Sequence, residues 1–151
     1  MRFVFLVVAF VTFLLDRVTK ILVVKELHHP VDLIPGFLTL RFAENRGAAF
    51  SLFAGSSETV RKLFLLVIPV AVVLAVFYYA FTRRELSLKL SVALGLIAGG
   101  ALGNLYDRFL RGSVTDFIDF HLGSYHYPTF NVADVGVFLG TVLLVFSFRK
   151  S

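Results

Sequence analysis

The chain has 151 residues, of which 58% are hydrophobic and only 17% are charged, and it contains no cysteine. A soluble domain carries about a quarter charged residues, so this composition indicates a membrane protein and excludes an ordinary soluble domain. The lack of cysteine excludes disulfides, thiol nucleophiles and cysteine-ligated metals. The formal net charge of +5 is modest, and in a membrane chain it reports loop topology rather than nucleic-acid binding.

Four segments are apolar and long enough to cross a bilayer, which takes about 20 residues in a helix. In chain order they are residues 3–24, 63–81, 88–106 and 132–148. The first segment contains Asp16 and Lys20 and is followed by no small-x-small cleavage site, so we expect a retained helix rather than a cleaved signal peptide. The predicted fold is therefore a mainly α, polytopic membrane protein with four transmembrane helices in a single domain, 1–151.

The orientation is predicted from the density of Lys and Arg in short flanking segments. Arg2, the short connection "RRELSLK" and the terminal "RK" all fall on one side. The basic residues of the other side are spread over two longer loops that also contain acids. Both termini are therefore predicted to be cytoplasmic, with the two long loops outside.

These two loops are patterned. Residues 35–53 contain an apolar run, a polar turn at 44–47 and a second apolar run, which is typical of a β-hairpin. Residues 111–130 predict another strand pair around Gly123 and Ser124. We therefore expect small extracytoplasmic β elements that lie on the membrane surface.

Polar residues at membrane depth or at its edge all fall in the outer half of this topology. Ionisable residues in spans are costly and usually face a protein interior, so they are candidates for a functional site. Asp16 and Lys20 are four residues apart and can pair, and the alternative is a neutralised helix end with Lys20 extending outward. The group is Asp16, Lys20, Asn45, Asn104, Arg108, Asp116, Asn131 and Asp134.

Glycines spaced four residues apart predict close helix packing in the third and fourth spans, because such ridges let a neighbouring backbone approach. The two ridges are Gly95, Gly99 and Gly103, and Gly136 and Gly140.

Gly100, Asn104 and Arg108 form an adjacent row, about 100° round the third helix. Arg108 cannot be neutralised, so near lipid it needs acidic or carbonyl partners. Asp107 is either such a partner or a solvated acid, and we favour a structural role for it.

The fourth span begins with Asp134, and Asn131 lies three residues earlier on the same helical face. A helix N-cap accounts for one of the two residues but not for a second carboxylate nearby. Asp116 lies at the far end of the preceding loop, and a strand pair of this length could bring it over Asp134. Two carboxylates held together at low dielectric share a proton and can hydrolyse a peptide bond. The spacing thus predicts an aspartyl dyad.

Five motifs in chain order make the sequence resemble the bacterial lipoprotein signal peptidases, the signal peptidase II family. The resemblance covers nearly the whole chain. The motifs are "DRVTK" (16–20), "NRGAAF" (45–50), "GGALGNLYDR" (99–108), "VTDF" (114–117) and "FNVAD" (130–134).

This resemblance implies an aspartyl endopeptidase of the bacterial inner membrane that needs no metal or cofactor. The enzyme would remove the signal peptide from prolipoproteins, cutting before a diacylglyceryl-modified cysteine at the outer leaflet edge. Asp116 and Asp134 would be the catalytic dyad, and residues 35–53 would correspond to a surface-lying β-cradle. The implied partners are membrane lipids and the lipidated substrate, with no nucleic acid and a monomeric chain. The residues implied to line or brace the site are Asp16, Lys20, Asn45, Gly47, Gly100, Asn104, Arg108, Asn131 and Ala133.

Three alternatives remain at this point. One is a small proton- or ion-coupled carrier, although carriers place their sites near the midplane of repeated halves and no repeat is visible here. Another is a structural subunit, which does not account for two aspartates in motifs outside the deep spans. The third is a metal site made of Asp119, His121 and His126, although loop histidines are more often solvated.

Overall fold

The structure is a computed structural model that describes residues 1–46 and 58–149, except for the side chain of Glu58. Within these ranges the chain forms helices and short strands that alternate along the sequence. In chain order the elements are α1 (Arg2–Glu26), β1 (Val31–Ile34), β2 (Leu38–Asn45), α2 (Glu58–Thr82), α3 (Leu88–Arg111), β3 (Val114–Leu122), β4 (Tyr125–His126) and α4 (Val132–Arg149).

The central helix of the bundle is α3, which packs against α1, α2 and α4. Of its spanning segment 72% is buried inside the protein, against 17% for α2 and for α4. Leu90 and Ile97 of α3 join Phe5 of α1 in the apolar core. The side chain of Ser87 caps the start of α3, and Gly112 ends the helix in the left-handed conformation at φ 74°. The site described below is therefore built on the most enclosed helix.

The glycines of α3 allow two neighbours to approach on different sides. A Cβ on Gly99 would collide with the carbonyl oxygen of Ala9 in α1, and one on Gly100 with that of Ala133 in α4. A Cβ on Gly140 would lie 2.6 Å from a carbonyl oxygen of α3. The predicted close packing is confirmed. The two ridges do not face each other, because the α3 ridge receives α1 while the α4 ridge packs mainly on another face of α3.

Three helices in the described part of the chain are long and apolar enough to cross a membrane, namely Thr59–Thr82, Leu88–Arg111 and Val132–Arg149. Two of them extend about one turn beyond the predicted bounds, at the start of α2 and at the end of α3. The 25-residue helix α1 is also long enough, but its charged side chains keep it outside this group. A fourth transmembrane helix therefore stays a prediction.

A four-stranded antiparallel sheet of order β1-β2-β3-β4 continues from the ends of α1 and α3. The predicted turn at 44–47 is wrong, because Glu44 and Asn45 belong to β2 and pair with β3. The hairpin turn lies earlier, where Gly36 has φ 80°, and it joins β2 to β1. The second arm of the predicted hairpin, 48–53, lies outside the described residues. The strand pair around Gly123 is confirmed, with His121 opposite His126.

Arg2 ties the N-terminus to the connection between α2 and α3. Its guanidinium donates to the carbonyl oxygens of Ala80 at 3.4 Å and Arg83 at 3.2 Å. The N-terminus and this connection therefore lie at one end of the bundle, as the predicted orientation requires. The assignment of that end to the cytoplasm stays a prediction.

Candidate active site

A buried cluster of charges joins α1 to α3. Lys20 Nζ contacts Asp16 Oδ2 at 2.8 Å and Asp107 Oδ2 at 3.0 Å. It also donates to Asn104 Oδ1 at 3.0 Å, so all three ammonium donors have an acceptor. Arg17 Nη2 contacts Asp107 Oδ1 at 2.7 Å. Two acids and two bases offset one another, which lowers the cost of burying each charge.

The contacts in this cluster show which of the predicted roles of Lys20 and Asp107 is correct. The predicted pairing of Asp16 with Lys20 is confirmed, but Lys20 does not extend outward, because its side chain is only 3% exposed. Asp107 is structural rather than solvated, and its Oδ2 also accepts the backbone N–H of Thr115 at 3.1 Å. Arg17 was not among the predicted site residues. Its charge in an otherwise apolar helix is the signal that could have found it.

Reciprocal hydrogen bonds cap the first turn of α4. Asn131 Oδ1 accepts the backbone N–H of Asp134 at 2.9 Å, and Asp134 Oδ2 accepts the backbone N–H of Asn131 at 3.2 Å. Asp16 Oδ1 accepts the N–H of Ala133 at 3.0 Å. Both Asn131 and Asp134 therefore take part in the cap, in the manner of a capping box. The side-chain nitrogen of Asn131 and Oδ1 of Asp134 are not used in the cap and make other contacts.

Those other contacts connect the two predicted catalytic aspartates. Asn131 Nδ2 donates to Asp116 Oδ1 at 2.8 Å, and Asn45 Nδ2 donates to Asp116 Oδ2 at 3.2 Å. Asn104 Nδ2 donates to Asp134 Oδ1 at 2.9 Å. With the backbone N–H of Asn131, every oxygen of the two carboxyl groups accepts a hydrogen bond. Both groups are thus held in fixed orientations.

The surroundings of Asp116 favour its protonated form. Asp116 is 1% exposed, and burial raises the pKa of its carboxyl group to about 6, with the negative charge of Asp134 acting in the same direction. The hydrogen bonds from Asn45 and Asn131 lower the pKa but only partly offset this effect. A proton can therefore stay on the pair of carboxyl groups close to neutral pH.

Arg108 lies beside the two aspartates. It interacts electrostatically with Asp134 and Asp116 but forms no direct ion pair with either in the part of the chain that the structure describes. With Asn104 and Asp134 it lines a cavity of about 540 Å³ between α2, α3 and α4, whose other walls are almost entirely apolar. Asp107 pairs with Arg17 and Lys20 instead. The predicted row of Gly100, Asn104 and Arg108 thus faces α4 and this cavity.

Asp134 also lines a second cavity of about 680 Å³. Its walls come from the loop between β4 and α4 and from neighbouring aromatic side chains, among them Phe120, Tyr127, Phe130 and Phe138. One carboxyl group is therefore accessible from two largely apolar cavities.

Comparisons with known proteins identify the family of this chain. The family described as signal peptidase (SPase) II matches residues 8–150. The chain belongs to the signal peptidase II family. The resemblance that the five sequence motifs predicted is thereby confirmed.

Individual relatives of the signal peptidase II family match over most of their length. The lipoprotein signal peptidase of a Sulfurihydrogenibium species is 41% identical over 143 residues, which cover 93% of this chain and 88% of the relative. That of Desulforapulum autotrophicum is 44% identical over 134 residues, with 87% and 83% covered. A bacterial membrane enzyme solved by the in meso method at 1.9 Å resolution is 30% identical, with a TM-score of 0.83 over 97% of this chain and 93% of its own.

The positions of Asp119, His121 and His126 do not support the metal site that was considered as an alternative. In the described ranges no three His, Asp or Glu side chains are grouped so that they could hold a metal ion. His126 Nδ1 lies 2.8 Å from Asp119 Oδ1, and His121 Nε2 lies 2.8 Å from Thr39 Oγ1. These histidines are therefore hydrogen-bonded within the sheet rather than simply solvated.

Of the residues that the signal peptidase II resemblance assigned to the site, Gly47 lies outside the described residues. The others meet where α1, α3, α4, β2 and β3 converge. Ala133 is fully buried and packs against Gly100. Thr115 and Arg17 are additional members that were not among the predicted site residues.

Proposed function

We propose that this chain is an aspartyl endopeptidase that removes signal peptides from prolipoproteins, with Asp116 and Asp134 as its catalytic pair. Family membership supports the reaction, since the relatives are named lipoprotein signal peptidases. The observation that carries the catalytic assignment is the position of Asn131, which bonds to the side chain of Asp116 and to the backbone N–H of Asp134. The two carboxyl groups supply both the acid and the base, so the proposal includes no metal or cofactor.

The chemistry requires one proton shared by the two carboxyl groups. The ionised carboxylate takes a proton from the attacking water, while the protonated carboxyl group donates a hydrogen bond to the scissile carbonyl oxygen. Water oxygen adds to the carbonyl carbon while the protonated carboxyl group passes its proton to the carbonyl oxygen, which gives a tetrahedral diol. A proton then passes to the amide nitrogen, the C–N bond breaks, and a carboxylic acid and an amine are released. The raised pKa of Asp116 supports this mechanism, and the shared proton belongs to the coupled pair.

The cavities support an apolar, membrane-borne substrate. Asp134 lines both the cavity between α2, α3 and α4 and the cavity under the β4–α4 loop. Apolar walls of this kind suit the hydrophobic core of a signal peptide and the acyl chains of a lipidated cysteine. The proposed substrate is therefore a diacylglyceryl-modified prolipoprotein, cut just before the modified cysteine.

The proposed setting is the bacterial inner membrane, with α1 as a fourth span. The charged side chains of Asp16, Arg17 and Lys20 are almost fully enclosed and paired, so their charges do not face lipid. The side of α1 away from these charges exposes large apolar side chains such as Leu15 and Leu22, as a lipid-facing surface requires. In this proposal the chain is a monomer, both termini are cytoplasmic and the site lies at the outer leaflet edge.

A cleavage assay on the purified chain tests this function. The chain is incubated in lipid with a diacylglyceryl-modified prolipoprotein, and signal-peptide release is followed on a gel. We expect cleavage by the parent chain, no change with a chelator, and no cleavage by folded Asp116→Asn or Asp134→Asn variants. The same prolipoprotein without the lipid modification is the matched control and should remain uncut.

Two results would contradict the proposal. Near-parent activity of either variant would remove that aspartate from the catalytic pair. A folded parent chain that cuts no lipidated prolipoprotein would exclude the peptidase, and a proton-flux assay in vesicles would then examine the carrier alternative.

A further inference from the structure

The two carboxyl groups of the proposed dyad lie in unequal surroundings. Asp134 belongs to the first turn of α4, whereas Asp116 lies within the strand β3. The positive end of a helix dipole favours a negative charge in the first turn, while a sheet has only a small net dipole. The backbone N–H of Asn131 at this helix end also donates to Asp134 Oδ2 at 3.2 Å. The start of α4 therefore favours a negative charge on Asp134, which is part of that helix.

A buried cation acts on the same carboxyl group through Asn104. Lys20 Nζ donates to Asn104 Oδ1 at 3.0 Å, and Asn104 Nδ2 donates to Asp134 Oδ1 at 2.9 Å. One amide group thus lies between an ammonium group and a carboxyl group, with its oxygen towards the cation. An ammonium group can only donate, so the amide keeps this orientation and its nitrogen donates to Asp134. Because hydrogen bonds in a chain polarise one another, Lys20 strengthens the bond that Asn104 makes to an ionised Asp134.

The amide of Asn131 contacts Asp116 but is polarised differently. Its nitrogen donates to Asp116 Oδ1 at 2.8 Å, and its oxygen faces the neutral backbone N–H of Asp134 at 2.9 Å. The corresponding oxygen of Asn104 faces the charged ammonium group of Lys20. Of these two amides, the one bonded to Asp134 is therefore the more strongly polarised towards a negative charge.

The surrounding charges favour the same arrangement. Among the described residues, the charged groups that face Asp134 are Lys20 of α1, Arg108 of α3 and Asp116 of β3. Arg108 interacts more strongly with Asp134 than with Asp116. Three further charged side chains of α1 and α3 pair within their own cluster, namely Asp16, Arg17 and Asp107. Burial and the charge of Asp134 raise the pKa of Asp116 to about 6, so the one proton of the pair is better placed on Asp116.

We propose that Lys20, acting through Asn104, keeps Asp134 ionised. The single proton of the pair then resides on Asp116, and Lys20 and Asn104 are positioning residues. As water oxygen adds to the carbonyl carbon, Asp134 takes a proton from the water and Asp116 gives its proton to the carbonyl oxygen. These chemical roles rest on the proposed peptidase function, whereas the position of the proton in the free protein does not.

Carbon-13 NMR of the full chain in detergent tests this proposal without any activity readout. Aspartate labelled at its side-chain carboxyl carbon gives a signal for each aspartate, and Asp116→Asn and Asp134→Asn identify the two signals of the pair. At about pH 5, one unit below the pKa of about 6 of Asp116, the Asp116 signal should stay at its protonated position while the Asp134 signal is at its ionised position. Earlier ionisation of Asp116, or two signals that titrate together, would overturn the proposal. A failed cleavage assay would not move these signals, so the proposed function and this proposal fail separately.

A variant of the bridging amide and a matched control locate the cause. Asn104→Ala removes the amide between Lys20 and Asp134, so the Asp134 signal should titrate at higher pH and closer to the Asp116 signal. Asn45→Ala removes an amide that donates to Asp116 instead, so the Asp116 signal should move to higher pH and the separation should widen. An unmoved Asp134 signal in Asn104→Ala, or the same change in both variants, would overturn the role of the bridge.

Lys20 itself is tested by Lys20→Met and Lys20→Arg. Lys20→Met should move the Asp134 signal to higher pH, whereas Lys20→Arg, which keeps the positive charge, should leave the order of the two signals as in the parent. Because Lys20 acts through Asn104, Lys20→Met should shift the Asp134 signal less in the Asn104→Ala background than in the parent. Equal shifts in the two backgrounds would overturn the proposed path. Thermal unfolding confirms that each variant is folded, and the parent titration by itself decides where the proton resides.

Discussion

Asn131 donates its side-chain N–H to Asp116 Oδ1 over 2.8 Å. The oxygen of the same amide group accepts the backbone N–H of Asp134 at 2.9 Å, so one fully buried side chain sets the positions of both aspartates. The residue that caps the start of α4 therefore also orients the two carboxyl groups of the proposed dyad.

Asn131→Ser separates these two roles. Serine is also a good N-cap, but its side chain is too short to hold Asp116. A misplacement of about 1 Å costs on the order of 100-fold in rate, so we expect kcat/KM to fall by about that factor while the protein stays folded. Asn131→Ala, which loses the cap as well, should lower the free energy of unfolding by about 1 kcal/mol more than Asn131→Ser.

A structural role alone would not change the pH profile of this variant. The hydrogen bond from Asn131 lowers the pKa of Asp116, so its loss should move the alkaline limb of kcat/KM to higher pH. An unmoved limb would show that Asn131 acts only through folding.

The pH dependence of the parent enzyme follows from the same carboxyl group. Burial and the charge of Asp134 raise the pKa of Asp116 to about 6. If the pair must hold one proton, kcat/KM should decrease as the pH rises through a value near 6, which reports the free enzyme. The measurement is the rate of signal-peptide release from about pH 4 to about pH 8, which is about two units on either side of the titration. A flat profile would contradict a dyad that works with a single proton.

The raised pKa also has a consequence for stability. A carboxyl group whose pKa is higher in the folded state stabilises the fold below its unfolded pKa, and this contribution is lost as the pH rises through the folded value. Asp116→Asn should therefore gain stability relative to the parent as the pH rises from 4 to 7, a range set by the shift from 3.8 to about 6. Thermal unfolding of both proteins across this range measures the difference. A constant difference would show that Asp116 does not titrate there.

Lys20 should contribute strongly to the stability of the fold. Its ammonium group contacts Asp16 and Asp107, and its removal leaves buried carboxylates without their cation. Lys20→Met should lower the free energy of unfolding by about 3–5 kcal/mol, as other broken buried ion pairs do. Lys25→Met, at an exposed position of the same helix, is the matched control and should change it by less than about 0.5 kcal/mol. Equal thermal unfolding of both variants would contradict this account of the cluster.

The contacts of Asp119 with Arg41 and His126 in the sheet predict that the protein loses stability in acid. Burial raises the pKa of Asp119, but hydrogen bonds from His126 and Arg41 lower it more, so its net pKa is depressed. A depressed pKa gives stability that is present above the unfolded pKa and is lost as the pH falls through the folded value. Asp119→Asn should therefore be less stable than the parent at pH 7, by about 1 kcal/mol because both partners are half exposed. The difference should disappear in acid, and its persistence at pH 3 would contradict this assignment.

Much of the fold is encoded locally and is readable from the sequence. The apolar runs of α2, α3 and α4 predict their own helices because length and composition decide whether a segment can span a bilayer. The pairing of Asp16 with Lys20 is equally local, since residues four apart lie on one face of a helix. The order of the five motifs also determined the family, and the chain resembles its relatives along almost its whole length.

The strand pairing is a matter of tertiary structure. Glu44 and Asn45 look like a polar turn in the sequence, yet they extend β2 because β3 supplies hydrogen-bonding partners from about 70 residues later. Register between distant strands depends on how the helices beneath them pack. No local pattern contains that information.

The partners of the charged residues are decided in the same way. Asp107 precedes Arg108 in the chain but pairs with Arg17 and Lys20 of another helix, because adjacent residues on a helix point in different directions. Likewise Asn131 is recognisable as a cap, whereas its bond to Asp116 exists only once β3 lies against α4. The sequence by itself determined the helices, the motifs and the family. Only the tertiary structure decided which charges and amides meet, because those contacts join residues that are distant in the chain and need the packed bundle to bring them together.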